Sequence, residues 1–228
     1  MSKIYTDHLT NPLTIDMNRR QFVTTSLTAG IVLPTAMAMA GNAVASTPKK
    51  GGKFRLGMGH GSTTDSLDPG TIENGMGQNV LFAYANHLTE VGKEGQLVPE
   101  LAAEYGASAD AKTWTFKLRQ GVTFHDGKAL TVDDVIASFR FHMGEDTKSA
   151  GKSLLADVTD ISANGNDVVF TLGNANADFA FIVSDYHFPI LPVRDGKLDW
   201  ASGIGTGGYI LDKYEPGVRA KFYRNPNY

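Results

Sequence analysis

From Thr113 to Arg119 the chain alternates without a break, with Trp114, Phe116 and Leu118 on one side and Thr115, Lys117 and Arg119 on the other. A period of two predicts a strand with one buried face. Lys53-Phe54-Arg55-Leu56-Gly57 has the same alternation and predicts a half-buried strand. Val158–Ile161 and Val168–Leu172 flank Asn164-Gly165, two residues that tolerate positive φ, so a hairpin is expected. Tyr209–Tyr214 and Val218–Tyr223 predict two further strands turning at Pro216-Gly217. Helical spacing appears from Gln78 to Leu88 through Val80, Leu81, Tyr84 and Leu88, and again through Val135, Ile136, Phe139 and Met143 behind a capping-box start at Thr131 and Asp134. Pro99 followed by Leu101, Ala102 and Tyr105 suggests a short helix with proline in its first turn. Short strands mixed with isolated helices, without regular alternation, indicate an irregular α/β, α+β-like fold.

The pattern breaks down at the N-terminus, where Phe22 to Ala40 contains no charge and lies just after Arg19 and Arg20. Thr24, Thr25, Ser26, Thr28, Gly30 and Pro34 dilute this run too much for a stable membrane span, and Ala43 and Ala45 supply a small-x-small cleavage pattern. Residues 1–45 are therefore expected to be a signal peptide. The arginine pair resembles a twin-arginine export signal, although Asn18 and Val23 depart from the usual pattern, and ordinary Sec export remains the alternative. Composition adds exclusions. A formal charge of −3 gives no sign of a nucleic-acid partner, and the absence of cysteine removes disulfides, thiol catalysis and cysteine-held metals.

Little points to chemistry. The histidines at 8, 60, 87, 125, 142 and 187 lie too far apart for a helical metal chelate, so no metal or cofactor is expected. Adjacent Asp133 and Asp134 fit helix capping better than paired acid and base. Gly203-Ile204-Gly205-Thr206-Gly207-Gly208 matches a dinucleotide fingerprint formally, but a strand-like segment follows where a helix is needed. Two glycine-rich loops remain, 57–77 and 203–208. They either offer backbone groups to a polar solute or serve tight turns. His125-Asp126 leaves a secreted hydrolase using His and carboxylate chemistry as the rival reading.

An ordered series of motifs carries a resemblance. It runs through Gly51-Gly52-Lys53-Phe54-Arg55-Leu56-Gly57, Ser66-Leu67-Asp68-Pro69, Leu97-Val98-Pro99-Glu100-Leu101-Ala102 and Trp114-Thr115-Phe116-Lys117-Leu118-Arg119-Gln120-Gly121-Val122-Thr123-Phe124-His125-Asp126-Gly127. It continues with Thr131-Val132-Asp133-Asp134-Val135, Gly205-Thr206-Gly207-Gly208-Tyr209 and Arg224-Asn225-Pro226-Asn227-Tyr228. In this order they resemble the extracellular solute-binding proteins of family 5, the dipeptide, oligopeptide and nickel class that serves ABC importers. Gly208 stands where the family usually has proline. The resemblance implies a periplasmic-binding-protein type II-like first lobe over 46–228, with a peripheral subdomain at about 91–199 and strands near 53–57 and 209–223 in one sheet. Family members are more than twice as long, so this sequence is expected to be an N-terminal part without the second lobe. The resemblance places His60, Ser62, Thr63 and Asn74 from the first loop, then Asp185, Tyr186, His187 and Gly203, along a ligand cleft. It further implies capture of a peptide or similar small polar solute in the periplasm, without catalysis. Delivery to membrane permease subunits, export by the twin-arginine machinery and a monomeric full-length state complete the expectation. A bound metal chelate or haem-like ligand, as some relatives carry, stays open.

Overall fold

The unbroken alternation of residues 113–119 lies at the centre of the largest sheet. The computed structural model describes residues 51–228. Strands β3 (Ala102–Ala107), β4 (Thr113–Leu118), β5 (Val158–Asn164) and β6 (Asp167–Leu172) form an antiparallel sheet in the order β3-β4-β6-β5. Every second residue of β4 and β6 is buried: Trp114, Phe116 and Leu118 beside Val168, Phe170 and Leu172. The β5–β6 turn holds Gly165 at φ +63°, the left-handed conformation that the Asn-Gly pair predicts.

Helix α2 (Val132–Phe141) covers this sheet. Its start is the expected capping box, with the Asp134 amide donating to Thr131 Oγ1 and the Thr131 amide donating to Asp134 Oδ2. Val135 and Phe139 face the sheet, and Phe139 meets Phe170 edge-on at 4.9 Å. The short helix α3 (Phe179–Ile182) adds Phe179 to the same cluster.

A second cluster of Leu67, Ile72, Val80, Leu81, Tyr84, Ala85 and Leu191 surrounds helix α1 (Gly75–Tyr84). Against it pack Leu211, Tyr214 and Phe222 of the ribbon formed by β9 (Tyr209–Glu215) and β10 (Arg219–Arg224). Two small hairpins, β1 (Thr89–Val91) with β2 (Leu97–Pro99) and β7 (Val193–Arg194) with β8 (Lys197–Leu198), complete the strands among the described residues.

Three expectations need correction. Residues 53–57 form no strand, and Phe54 is 87% exposed: alternation supplies a face, but a strand also needs a ladder partner. β9 and β10 accordingly form a two-stranded sheet of their own, without that segment. Residues 99–105 are not helical. Pro99 ends β2, and Tyr105 sits in β3 opposite Phe116, because pairing with β4 outweighs the weak preference of a helix too short to nucleate. Helix α1 also begins earlier than its apolar spacing indicates, at the Asn74 cap, and ends at Tyr84 where Ala85 turns extended. Arg19, Arg20, Ala43, Ala45 and the signal peptide they define lie outside the described residues.

Candidate functional site

The glycine-rich loop 203–208 is packed against the C-terminal end of α1. A Cβ on Gly205 would lie 2.1 Å from the Tyr84 carbonyl oxygen, and one on Gly207 would lie 2.6 Å from the Tyr84 carbonyl carbon. Only glycine permits that approach. The Gly207 amide donates to the Tyr84 carbonyl at 2.8 Å, and the His125 amide donates to the Gly205 carbonyl at 2.9 Å. The His125 ring closes the same loop: Nδ1 accepts from the Gly205 amide at 3.4 Å, and Nε2 lies 2.9 Å from the Gly207 carbonyl. An acceptor role at Nδ1 places the proton on Nε2, which then donates. Asn225 adds an amide bond to the Gly208 carbonyl and a side-chain bond to the Gly207 carbonyl. The backbone groups of Gly205 to Gly208 thus largely hold the protein together instead of facing a solute, a correction to the reading in which this loop offers them freely. β9 follows the loop directly, so the helix that a dinucleotide fingerprint requires is absent.

The loop before α1 differs. His60 is exposed in the left-handed region at φ +67°, and Ser62 and Thr63 are exposed. Asp65 organises this loop by accepting from the Ser62 amide at 2.8 Å and from Asn74 Nδ2 at 3.0 Å. Asn74 Oδ1 accepts from the Gly77 amide at 2.9 Å, so its side chain caps α1 and ties the loop to it. Gly203, buried at φ +67°, abuts Leu211 and Leu67, and Tyr186 packs against the same cluster. The structure therefore brings Gly203 and Tyr186 around the core that Leu67 anchors.

Asp185 and Tyr186 are half-buried, whereas His187 is 5% exposed. Asp185 Oδ1 accepts from both the His187 amide and its ring, and the Tyr186 and His187 rings lie with centroids 4.0 Å apart and planes tilted by 34°. Burial works to raise the Asp185 carboxyl, but the hydrogen bonds from His187 outweigh it and hold the group below the ordinary range. Oδ2 accepts no hydrogen bond from the described residues. His187 Nε2 is buried without a partner there.

Beside these residues lies a polar network that no local pattern foretells. Glu100, from the β2–β3 connection, accepts from Asn86 Nδ2 and, at 2.6 Å, from the His87 amide. Thr206 Oγ1 donates to Asn86 Oδ1, linking the glycine loop to the same point. Burial pushes the Glu100 carboxyl up to about 7 and the His87 imidazole down to about 4. The 3.9 Å approach of His87 Nδ1 to Glu100 is therefore not an ion pair at neutral pH, because the ring is uncharged. The only sequence signal was Pro99-Glu100 within a recognisable motif. Nothing local indicates that its carboxylate is buried.

The family model described as bacterial extracellular solute-binding proteins, family 5 Middle, matches residues 96–228. Protein XP55 of Streptomyces lividans is 37% identical over 142 residues, 58% of this chain and 26% of that protein. A probable peptide ABC transporter periplasmic-binding protein, y4tO of Sinorhizobium fredii, is 28% identical over 169 residues, 71% of this chain and 32% of its own length. Among solved structures, the PBP AgaA of A. tumefaciens R10 in complex with agropinic acid superposes with a TM-score of 0.66 at 26% identity, covering 74% of this chain and 35% of that one. The chain thus spans about a quarter to a third of the length of these curated relatives.

Proposed function

The chain belongs to the bacterial extracellular solute-binding proteins of family 5, and from that premise we propose that it captures a peptide or similar small polar solute for an ABC importer. The match of the family model over residues 96–228 carries this reading. Of the relatives named above, the probable peptide ABC transporter periplasmic-binding protein favours a peptide, and the protein in complex with agropinic acid favours a small organic acid. The geometry supplies suitable contacts. Asp185 Oδ2 is an available anionic acceptor for an ammonium group, Tyr186 offers a ring and a hydroxyl, and His60, Ser62 and Thr63 offer exposed polar groups on a loop braced by Asp65 and Asn74. His187 orients Asp185, and Gly203 lets the chain pass close to Leu67 and Leu211.

The protein acts in the periplasm after removal of residues 1–45, delivers its solute to permease subunits, and carries out no catalysis. Its export runs through the twin-arginine machinery, and the full-length protein is a monomer with a peripheral subdomain at about 91–199. The hydrolase reading loses its support at His125, whose two ring nitrogens bind the glycine loop, and at Asp126, which pairs with Arg194. Mass spectrometry of the protein isolated under native conditions tests this function. A noncovalent solute released intact on denaturation is expected; a hydrolysed product or a covalent adduct would contradict it.

A further inference from the structure

Helix α2 has a second face that the core does not use. Asp134, Val135, Ser138 and Phe139 point inward, whereas Asp133, Ile136, Ala137, Arg140 and Phe141, at spacings of three and four, line an open groove. The β7–β8 hairpin forms the opposite wall with Val193, Lys197 and Leu198, and Trp200 closes the end of the lining. The groove has a volume of about 660 Å³, within the range of small-molecule sites, and shares no residue with the proposed solute site.

Its chemistry is asymmetric. Ile136, Ala137, Phe141, Val193, Leu198 and Trp200 make most of the lining apolar, and Arg140 and Lys197 add two cations to it. Arg140 donates through Nη2 to the Ile161 carbonyl at 3.0 Å, which fixes the guanidinium and leaves its other N–H groups available. Neither cation has a carboxylate within ion-pairing distance among the described residues. Asp133 lies seven residues before Arg140, two helical turns or roughly 10 Å away, too distant to neutralise it.

From this juxtaposition of an apolar, tryptophan-bearing lining with two unneutralised cations, we propose that the groove between α2 and the β7–β8 hairpin binds a small amphipathic carboxylate. The apolar body lies on Trp200 and Phe141. The carboxylate meets Arg140 and Lys197. Guanidinium and ammonium donors form charge-assisted hydrogen bonds with such an end, and a cation of the same shape would meet repulsion instead.

Three probes of one shape test this on the full chain: 4-phenylbutyrate, 4-phenylbutanol and 4-phenylbutylamine, titrated by calorimetry and by tryptophan fluorescence. The carboxylate should bind at least tenfold more tightly than the amine, with the alcohol between them, and should perturb fluorescence in the wild type but not in Trp200→Phe. Arg140→Glu combined with Lys197→Glu should reverse the order of carboxylate and amine, whereas Asp133→Asn should leave carboxylate binding unchanged or tighter. Equal affinity for the three probes would overturn the proposal. So would a preference for the carboxylate that survives in the double variant, or saturable binding without any response from Trp200. Because the probe comparison is made first in the wild type, it decides the question even where a variant folds poorly.

Discussion

A single hydrogen atom in place of a methyl group holds the glycine loop against α1. At Gly205 a Cβ would meet backbone, the Tyr84 carbonyl, which cannot rotate away, whereas at Gly208 it would meet only the Tyr228 ring at 3.5 Å. Gly205→Ala is therefore expected to destabilise the protein by about 3 kcal/mol or more, and Gly208→Ala by less than about 0.5 kcal/mol. Urea denaturation of the two variants measures the contrast. Titration at the same junction has a defined sign. Glu100, raised to about 7 in the folded protein, stabilises most at acid pH, and its contribution is lost as pH rises through 7. His87, lowered to about 4, stabilises above its ordinary value of 6.5, and its contribution is lost as pH falls toward 4. Glu100→Gln cannot ionise. Its stability relative to the wild type is expected to improve between pH 5 and pH 8, and denaturation at the two values reads that change. A constant difference would show that the carboxylate is not buried as described.

At the scale of elements, the start of α2 depends on more than its cap. Asp134 accepts from the Thr131 amide, the Val193 amide at 2.8 Å and Lys128 Nζ at 2.6 Å, and its side chain is 1% exposed. Thr131→Ala removes one capping partner and should cost about 1 kcal/mol. Asp134→Ala leaves a half-buried ammonium without its carboxylate and two backbone donors unpaired and should cost about 3 to 5 kcal/mol, both measurable by thermal or chemical unfolding. The cap was legible in the sequence because Thr131 and Asp134 act on each other three residues apart. The link to Val193 was not, because it spans 59 residues. The same distinction runs through the strands. Alternation at 113–118, Asn164-Gly165 and the two segments flanking Pro216-Gly217 state their structure locally, so β4, the β5–β6 hairpin and the β9–β10 ribbon were foreseen. Residues 99–105 and 53–57 depend on a ladder partner that no local pattern specifies. Of the candidate site, Tyr186 and Gly203 entered only through what the family resemblance implies, and the Glu100 network not at all, since a buried carboxylate leaves no mark on its neighbours in sequence.

For the whole molecule, the proposed function couples the glycine-loop junction to a loop and a short segment, 60–63 and 185–187, whose polar groups would meet the solute. Replacing Arg19 and Arg20 together by lysine is expected to leave precursor in the cytoplasm, since twin-arginine recognition depends on guanidinium geometry. Cell fractionation checks this, and unchanged delivery would assign the signal to Sec. The central claim is reversible solute capture at Asp185 and Tyr186. Its most direct measurement is calorimetric titration of the full-length protein with short peptides, alongside Asp185→Asn and Tyr186→Ala, with the peptide recovered afterwards and weighed by mass spectrometry. One-site binding of an unaltered peptide is predicted, weakened about 5- to 150-fold in each variant, the equivalent of losing about 1 to 3 kcal/mol of a charge-assisted hydrogen bond or a stacked ring. Wild-type affinity in both variants, or a peptide recovered cleaved, would contradict it.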